Sequence, residues 1–329
     1  MKKYKICKIL LVILAIFLCV DFYELLGICV AYKKQPEVSN TTKKETKNGS
    51  WNECSENTER AVIIEKNPEA LLQRVRLIKN AKKEIILSTF AFQSDESGKL
   101  ILGALHDAAD RGVHIRLLVD GMESWIDMEG NPYFYGLSSH ENVEIKLYNK
   151  ANPLKPWKMM GRMHDKYLIA DGKRYILGGR NTYNYFLGDF PGHKNYDRDV
   201  LVVCDEPEKE NSVNQLLEYF ETIWEQEDSG YFHDNKKLAN RKSVKNAVLE
   251  LQNGYQKYFE ENKERICDTD YTDETFETEK IALVSNPIHT GSKEPVVWYQ
   301  LGELMKNAKN RVKIHTPYII CNECIIHGR

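Results

Sequence analysis

Short apolar runs alternate with longer amphipathic segments through most of the chain after residue 60. Apolar residues spaced three and four apart predict helices from Asn67 to about 81, from about 96 to 111 and from 213 to 226. The strand-like runs are AVIIE (61–65), EIILSTF (84–90), HIRLLVD (114–120), NVEIKLY (142–148) and RDVLVV (198–203). KYLIAD and RYILGG flank Gly172-Lys173 and predict a hairpin. Strands separated by helices of this length indicate βαβ units, so we expect an α/β fold with a mixed, largely parallel sheet.

The first 32 residues have the pattern of a membrane segment. A Lys-rich start precedes an apolar run from Ile9 to Val20, and the chain is apolar again between Glu24 and Ala31. The first run has signal-peptide length and is shorter than the roughly 20 residues that cross a bilayer. No small-x-small cleavage site follows, so residues 1–32 are predicted to be an uncleaved anchor rather than a cleaved signal. Lysines on both sides leave the orientation open; the short basic tail favours an inside N-terminus and an extracytoplasmic body.

Composition changes divide the rest of the chain. Residues 33–60 are polar, lack apolar periodicity and are predicted to be a linker. Residues 61–226 form the first α/β domain in this prediction, and residues 227–280 form a charged connecting region with helical character between about 240 and 262. A strand at 281–287, followed by a helix, begins a further domain over residues 281–329.

That further domain starts as a repeat of the first one. LIKNAKKEIILSTF (77–90) and LMKNAKNRVKIHTP (304–317) align without a gap, 227 positions apart. The same offset places a partner of His164 near position 391, whereas the sequence stops at Arg329. We therefore expect the second copy to be truncated here.

Composition and cysteine spacing exclude some classes of protein. A net charge of −2 disfavours a dedicated nucleic-acid-binding protein, which usually has a basic excess. Cys321 and Cys324 have CxxC spacing, but no second pair or His cluster accompanies them, so no metal site is expected. No cofactor motif is present either, and we expect the chemistry to use side chains alone.

One stretch, RMHDKYLIADGKRYILGGRN (162–181), concentrates the residues that carry chemistry. On a strand, His164 and Lys166 share a face, where imidazole can attack phosphorus and an ammonium can neutralise phosphoryl oxygens. Gly178 and Gly179 would let the backbone approach an anion, and Asn181 can donate an N–H. A single strand His is more often structural, and a Gly pair often marks only a turn. Six specified residues at this spacing nevertheless favour a phosphate-ester site.

The pattern HxKxxxxD followed by GG-x-N resembles the phospholipase D superfamily. GRMHDKYLIADG, GGRN and YDRDVLVV are similar to the first catalytic half of bacterial cardiolipin synthases, and AKNRVKIHTPYI to the start of their second half. The resemblance covers about residues 61 to 320. It implies an α-β-α sandwich fold preceded, in this chain, by the N-terminal membrane anchor.

The resemblance also implies roles for individual residues. His164 matches the family's reactive His, while Lys166 and Asn181, with Gly178 and Gly179, match the phosphate-binding groups. Asp197 matches the acid that orients the motif His; Asp199 would share that strand face, so choosing between them rests on the resemblance. Asp171 completes the motif and is counted with the catalytic residues, although its position beside Gly172 favours bracing of the turn.

The family's site needs two motifs, and this sequence contains one. The resemblance implies a phosphatidyltransferase of cardiolipin-synthase type that works through a phosphohistidine, and we expect this truncated chain to be weak or inactive. Two alternatives stay open: a phosphodiesterase that is active as a homodimer of single-motif chains, or an inactive membrane-anchored remnant. The expected partners are a phospholipid substrate and a membrane surface.

A lipid-facing segment is suggested just before the motif. Residues 151–163 interleave Trp157, Met160 and Met163 with Lys158 and Arg162. Aromatic and basic side chains together suit an anionic membrane interface. An ordinary loop tucked under the domain explains the same residues equally well.

Overall fold

The protein is built on one mixed β-sheet. The computed structural model describes residues 2–34, 36–48, 59–204, 206, 211–233 and 235–314. The strands of the sheet are β1 (Glu59–Ile64), β2 (Glu84–Thr89), β3 (His114–Asp120), β4 (Val143–Tyr148), β5 (Lys166–Ala170), β6 (Arg174–Gly178), β7 (Asp199–Cys204), β8 (Ser229–Tyr231) and β9 (Phe276–Glu277).

Helices cover both faces of this sheet and precede it. They are α1 (Lys2–Ala31), α2 (Asn40–Asn48), α3 (Asn67–Asn80), α4 (Glu96–Asp110), α5 (Gly121–Asp127), α6 (Pro132–Ser138), α7 (Ser212–Trp224), α8 (Lys242–Glu261), α9 (Lys263–Cys267) and α10 (Val296–Asn307). Short 3-10 helices occupy Pro156–Lys158 and Lys236–Asn240. The strands and helices predicted for residues 61–226 are confirmed to within about two residues at each end.

The strand order is β8-β4-β3-β2-β5-β6-β7-β1-β9. Only β2–β3 and β3–β4 pair in parallel among the described strands, so the expectation of a largely parallel sheet was wrong. Parallel pairing requires a crossover, which α4 provides between β2 and β3 and α5 with α6 provide between β3 and β4. A hairpin joins β5 and β6, and longer connections join the other later strands. The pairs β2–β5, β5–β6 and β6–β7 are antiparallel.

Two hydrophobic cores make the fold an α-β-α sandwich, as predicted. On one face, Leu87, Leu117 and Leu168 pack with side chains of α3, α4, α6 and α8. On the other face, Leu118 and Tyr167 pack with side chains of α7. The alternation of strand side chains between the two faces produces this division, because successive residues of a strand point in opposite directions.

Residues 227–280, predicted to connect two domains, pack against the first one. α8 lies against α4 and α6, and the short strands β8 and β9 extend the sheet at its two ends. Arg76, on α3, holds this region with Nη1 at 2.9 Å from a carboxylate oxygen of Glu274. The connecting region therefore shares the core of the first domain.

Two local features differ from the expectations. Part of the linker forms α2, where the Ser39 hydroxyl accepts a hydrogen bond from the Thr42 N–H and residues 43–47 are mostly helix-forming Lys and Glu. Residues 281–287 form no strand. They run along α7 instead, where the Leu283 N–H donates to Gln215 Oε1 at 2.8 Å.

The N-terminal helix is continuous. From Ile6 to Ala31 it is long and apolar enough to cross a membrane, with a mean hydropathy of 2.6, and its apolar stretch is not buried against the protein. Both apolar runs separated by Asp21 and Glu24 thus belong to one helix. It is the one helix of this kind among the described residues, and it could serve as the predicted anchor.

Candidate active site

The His-Lys motif lies at the edge of the sheet where β2, β3 and β4 end. Because β5 runs antiparallel to β2 with Lys166 opposite Thr89, the start of β5 meets the carboxyl end of β2. β6 ends and β7 begins at the same edge, with Gly178 opposite Asp199. We call this side of the sheet, with the connections that leave it, the motif edge. In open α/β sheets, ligands bind beyond the carboxyl ends of the parallel strands.

His164 is exposed at the motif edge, directly before β5. Its ring packs edge-on against Phe90, with ring centroids 4.6 Å apart. Partial burial lowers the pKa of His164 below its ordinary value, and the nearby charge of Lys166 lowers it further. The imidazole is therefore neutral at pH 7, and a neutral imidazole has a lone pair available for attack or for accepting a proton.

Lys166 supplies a buried positive charge beside that imidazole. Its Nζ donates to the backbone oxygen of His164 at 2.7 Å and lies 5.2 Å from the centre of the Phe90 ring. Burial lowers the pKa of Lys166 to about 8, although Asp165, Asp197 and Asp120 oppose the shift. The ammonium is still charged at pH 7 and is poorly solvated, which strengthens its attraction for an anion.

A carboxylate on β3 fixes the chain just before His164. Asp120, which is buried, accepts hydrogen bonds from Arg162 Nε at 2.9 Å and Arg162 Nη2 at 2.6 Å. It also accepts from the Met163 N–H at 3.1 Å and from the Met122 N–H at the start of α5. The guanidinium of Arg162 in turn lies 5.0 Å from the centre of the Phe90 ring. Asp120 is thus a positioning residue for the motif.

The two glycines make room for carboxylates of the protein itself. A Cβ on Gly178 would lie 2.0 Å from Asp199 Oδ1, and a Cβ on Gly179 would lie 2.0 Å from Asp197 Oδ2. A side chain at either position would collide with these acids. The observed close approach is therefore to the 197–199 segment, and the part of the Gly pair in binding an anion stays a prediction.

The structure separates the two candidate acids. Asp199 is fully buried, with Oδ2 2.9 Å from Arg74 Nη1 and 3.2 Å from Arg180 Nη1. It is committed to a buried ion network in which Arg180 also donates to the backbone oxygens of Ile64 and Glu65. Removing one member of such a network leaves an uncompensated buried charge.

Asp197 is half-buried and more open than Asp199. Its Oδ1 accepts the backbone N–H of Arg198 at 2.8 Å, and its backbone oxygen accepts from Arg180. The charge of Asp197 acts on Lys166. Within the described part of the chain, no hydrogen bond joins Asp197 to His164, so its role in orienting the imidazole stays a prediction.

Asn181 lies beside the chain segment that follows Phe90. Its side-chain oxygen accepts the Ala91 N–H at 3.2 Å, and an isolated parallel bridge between Phe92 and Thr182 holds the two segments together. With the oxygen engaged, the NH2 group is the part of Asn181 that can donate to an anion.

Asp171 lies at the opposite edge of the sheet, in the turn between β5 and β6. Its carboxylate accepts the backbone N–H groups of Lys82, Lys83 and Glu84, the closest at 2.7 Å. The residue has a positive φ of 55°. The structure therefore places Asp171 away from His164 and gives it the bracing role, which corrects its grouping with the catalytic residues.

A cavity of about 400 Å³ opens beside the motif. It extends from His164 and Asp165 along α7 to residues 283–297, including Lys293. Asp165 faces this cavity, where Tyr219 donates to its carboxylate at 2.7 Å, and burial raises the pKa of Asp165. No group of three metal-ligating side chains occurs among the described residues.

Three residues at this site were missed by the sequence analysis: Phe90, Asp120 and Arg180. The signal for Asp120 was present, since an Asp that ends a parallel strand lies at the usual ligand edge of such sheets. Arg180 occupies the unspecified position of the GG-x-N pattern, and only its burial identifies it. Phe90 ends the predicted strand 84–90, and nothing in that pattern distinguishes it.

Comparison with known proteins identifies the class. Residues 74–224 match the family model described as the cardiolipin synthase, PLD-like domain. This part of the chain, a little under half of its length, is therefore similar to phospholipase D-like domains.

Relatives by sequence cover the chain to different extents. Cardiolipin synthase C of Escherichia coli (strain K12) is 29% identical over 171 residues, which are 48% of this chain and 34% of that protein. An uncharacterized protein of Helicobacter pylori (strain ATCC 700392 / 26695) is 29% identical over 288 residues, 79% of this chain and 54% of that protein. The chain thus spans about half or less of the length of these relatives.

Among solved structures, phosphatidylserine synthase of Haemophilus influenzae Rd KW20 has a TM-score of 0.44 and 17% identity, covering 67% of this chain and 48% of that one. NucT from Helicobacter pylori has a TM-score of 0.42 and 17% identity, covering 53% of this chain and 99% of that one. Both scores are too low to bear on function.

The bracing role of Asp171 predicts that its replacement lowers the stability of the fold and leaves the surroundings of His164 unchanged. We expect Asp171→Ala to lower the free energy of unfolding by about 1–3 kcal/mol, because three backbone N–H groups lose a charged acceptor and alanine is strained at positive φ. Urea unfolding measures this. Asp171→Asn, which keeps an oxygen and tolerates this conformation, should lose less. Wild-type stability in Asp171→Ala, or a shifted His164 ring resonance, would contradict the assignment.

Proposed function

We propose that the chain acts on phospholipid phosphodiesters as a phosphatidyltransferase of cardiolipin-synthase type, through a phosphohistidine on His164. The observation that carries the proposal is an exposed imidazole of lowered pKa directly beside the buried ammonium of Lys166. The family match over residues 74–224 supports the class of substrate. The proposed chemistry uses side chains alone.

In the first step, a ring nitrogen of His164 attacks phosphorus. A P–N bond forms while the P–O bond to the leaving alcohol breaks, and the leaving oxygen takes up a proton. The family resemblance assigns that proton to a second motif His. Among the described residues, His164 is the only His followed by Lys two positions later. A second copy of this chain would supply the other imidazole, so a homodimer is one form of the proposal.

In the second step, a hydroxyl of another lipid attacks phosphorus. The P–N bond breaks, His164 is regenerated, and the hydroxyl proton passes to the acid–base group that protonated the leaving alcohol. Lys166 neutralises the charge on the phosphoryl oxygens in both steps, and the NH2 group of Asn181 is a further donor. Asp120 supports the reaction indirectly, since it holds Arg162 and Met163 in place.

Hydrolysis is the second candidate function, and the exposure of His164 favours it. Water that reaches the phosphohistidine would replace the lipid hydroxyl and release phosphatidic acid. The two functions share the first step and differ only in the acceptor. Products from phosphatidylglycerol therefore distinguish them: cardiolipin and glycerol indicate transfer, whereas phosphatidic acid and glycerol indicate hydrolysis.

The catalytic assignment predicts a strong dependence on one imidazole. In full-length protein reconstituted with labelled phosphatidylglycerol, we expect His164→Ala to reduce product formation by more than about 10³-fold, the order expected when a covalent nucleophile is removed. His114→Ala is the matched control, since His114 is a half-buried His at the opposite edge of the same sheet. Activity that survives in His164→Ala would overturn the assignment, and an inactive wild-type chain would favour a membrane-anchored binding protein.

The paired pKa shifts predict a bell-shaped pH profile. His164 must be neutral to attack, and its pKa is lowered, so the acid limb should lie below pH 6.5. Lys166 must be charged, and its pKa is about 8, so the rate should fall as the pH rises through about 8. Lys166→Arg keeps a charge at higher pH. Its rates will be lower, but its alkaline limb should disappear. An alkaline limb unchanged in Lys166→Arg would remove Lys166 from this role.

A further inference from the structure

Large apolar side chains are exposed around the motif edge, on three separate connections of the sheet. Trp125 and Ile126 on α5 follow β3 and are 70% and 72% exposed. Leu154, at 77%, and Met160, at 59%, lie between β4 and β5, and Trp157 is exposed beside them. Tyr196 precedes β7 and is 73% exposed. We call these six side chains the apolar rim. Met163, which the sequence analysis included with them, is buried in the core.

The contacts between α1 and the domain set the depth of the apolar rim relative to a membrane that α1 spans. α1 packs against the 3-10 helix at Pro156–Lys158, and the Tyr23 hydroxyl donates to the Leu154 oxygen at 3.4 Å. The Tyr32 hydroxyl donates to the Thr290 oxygen at 2.8 Å. Among the α1 side chains whose burial is described, those from Ile6 to Tyr23 are exposed, and partly buried ones begin at Glu24. The part from Ile6 to Phe22 projects beyond these contacts for roughly 25 Å at about 1.5 Å per residue.

That projecting length is close to the hydrocarbon thickness of a bilayer, about 30 Å, and a small mismatch is accommodated by bilayer thinning. Asp21 and Glu24 flank Tyr23 at the end of this projecting part of α1. Carboxylates avoid the hydrocarbon, and tyrosine prefers the head-group level. When α1 spans a membrane, the head-group level therefore coincides with Tyr23, and Leu154 lies at the same level.

We propose that the apolar rim inserts into the head-group region of the membrane that α1 spans, so that the motif edge faces the lipid surface. The occupant of this surface is a lipid bilayer. Continuity with α1 supports this choice, as does the exposed Lys155 within the rim, since an ammonium there attracts anionic head groups. The inference deepens the proposed function, on which it rests for its substrate.

This placement brings the reacting group to its substrate. Met160 precedes His164 by four positions, so the Cα atoms of these two residues lie at most about 14 Å apart. A lipid can keep its acyl chains in the bilayer while its head group reaches His164. The exposed position of His164 is then a requirement of the reaction at a surface, because the phosphodiester stays at the membrane.

Photolabelling tests the rim without requiring turnover. The full chain is reconstituted in vesicles of phosphatidylcholine and phosphatidylglycerol that contain a phosphatidylcholine with a diazirine near its glycerol backbone. Mass spectrometry of the digest should find label on peptides from α1, on residues 121–127, on residues 151–161 and on the peptide that contains Tyr196. Leu249 on α8 and Phe276 on β9 are exposed apolar controls outside the rim and should stay unlabelled. Rim peptides labelled no more than these controls would overturn the proposal.

Variants test the consequence for activity. We expect Trp157→Ser combined with Met160→Ser to raise the apparent KM for phosphatidylglycerol vesicles by about five- to tenfold, through lost interfacial burial. The kcat, and activity on a short-chain phosphatidylglycerol below its micellar concentration, should be unchanged. Leu249→Ser combined with Phe276→Ser is the control. Equal losses on both substrates would contradict the rim. A labelled rim without any product would leave the rim standing and defeat the proposed function.

Discussion

The carboxylate of Asp120 holds several parts of the motif edge together. It is buried at the end of β3, caps α5, and accepts hydrogen bonds from Arg162 and from the Met163 N–H. These two residues directly precede His164, whose backbone oxygen binds the Lys166 ammonium. The position of the imidazole therefore follows from the position of Asp120. Without this carboxylate, Arg162 would lose its main partner, and the segment that carries His164 would lose its attachment to the sheet.

The sequence was sufficient for the strands from β1 to β7 and for the hairpin, because period-two patterns and turn residues are local. It was insufficient wherever a role depends on a distant partner. The carboxylates of Asp199 and Asp197, which lie against Gly178 and Gly179, cannot be found from the sequence. The role of Arg180 also cannot be recognised in the sequence, because it depends on burial beside Asp199. The residues of β5 likewise do not show that it would pair with β2.

The repeated segments separate local from tertiary effects within one chain. α3 and α10 end at the equivalent residues Asn80 and Asn307 of the shared KNAK sequence, and in each the next N–H caps the last turn. α3 is largely buried on the sheet, whereas α10 has no buried residue. β2 follows α3 and pairs on both sides, but residues 311–314 form no strand. The helix and its end are thus set locally, while the strand requires partners.

The central claim is that His164 becomes covalently attached to phosphorus. The most direct test incubates the full chain with phosphatidylglycerol vesicles, quenches in alkaline denaturant, where a phosphorus–nitrogen bond survives best, and maps the digest by mass spectrometry. The account predicts a phosphatidyl adduct on the peptide that contains His164, with the His114 peptide unmodified. Product formation with no adduct, or an adduct on a different residue, would contradict it.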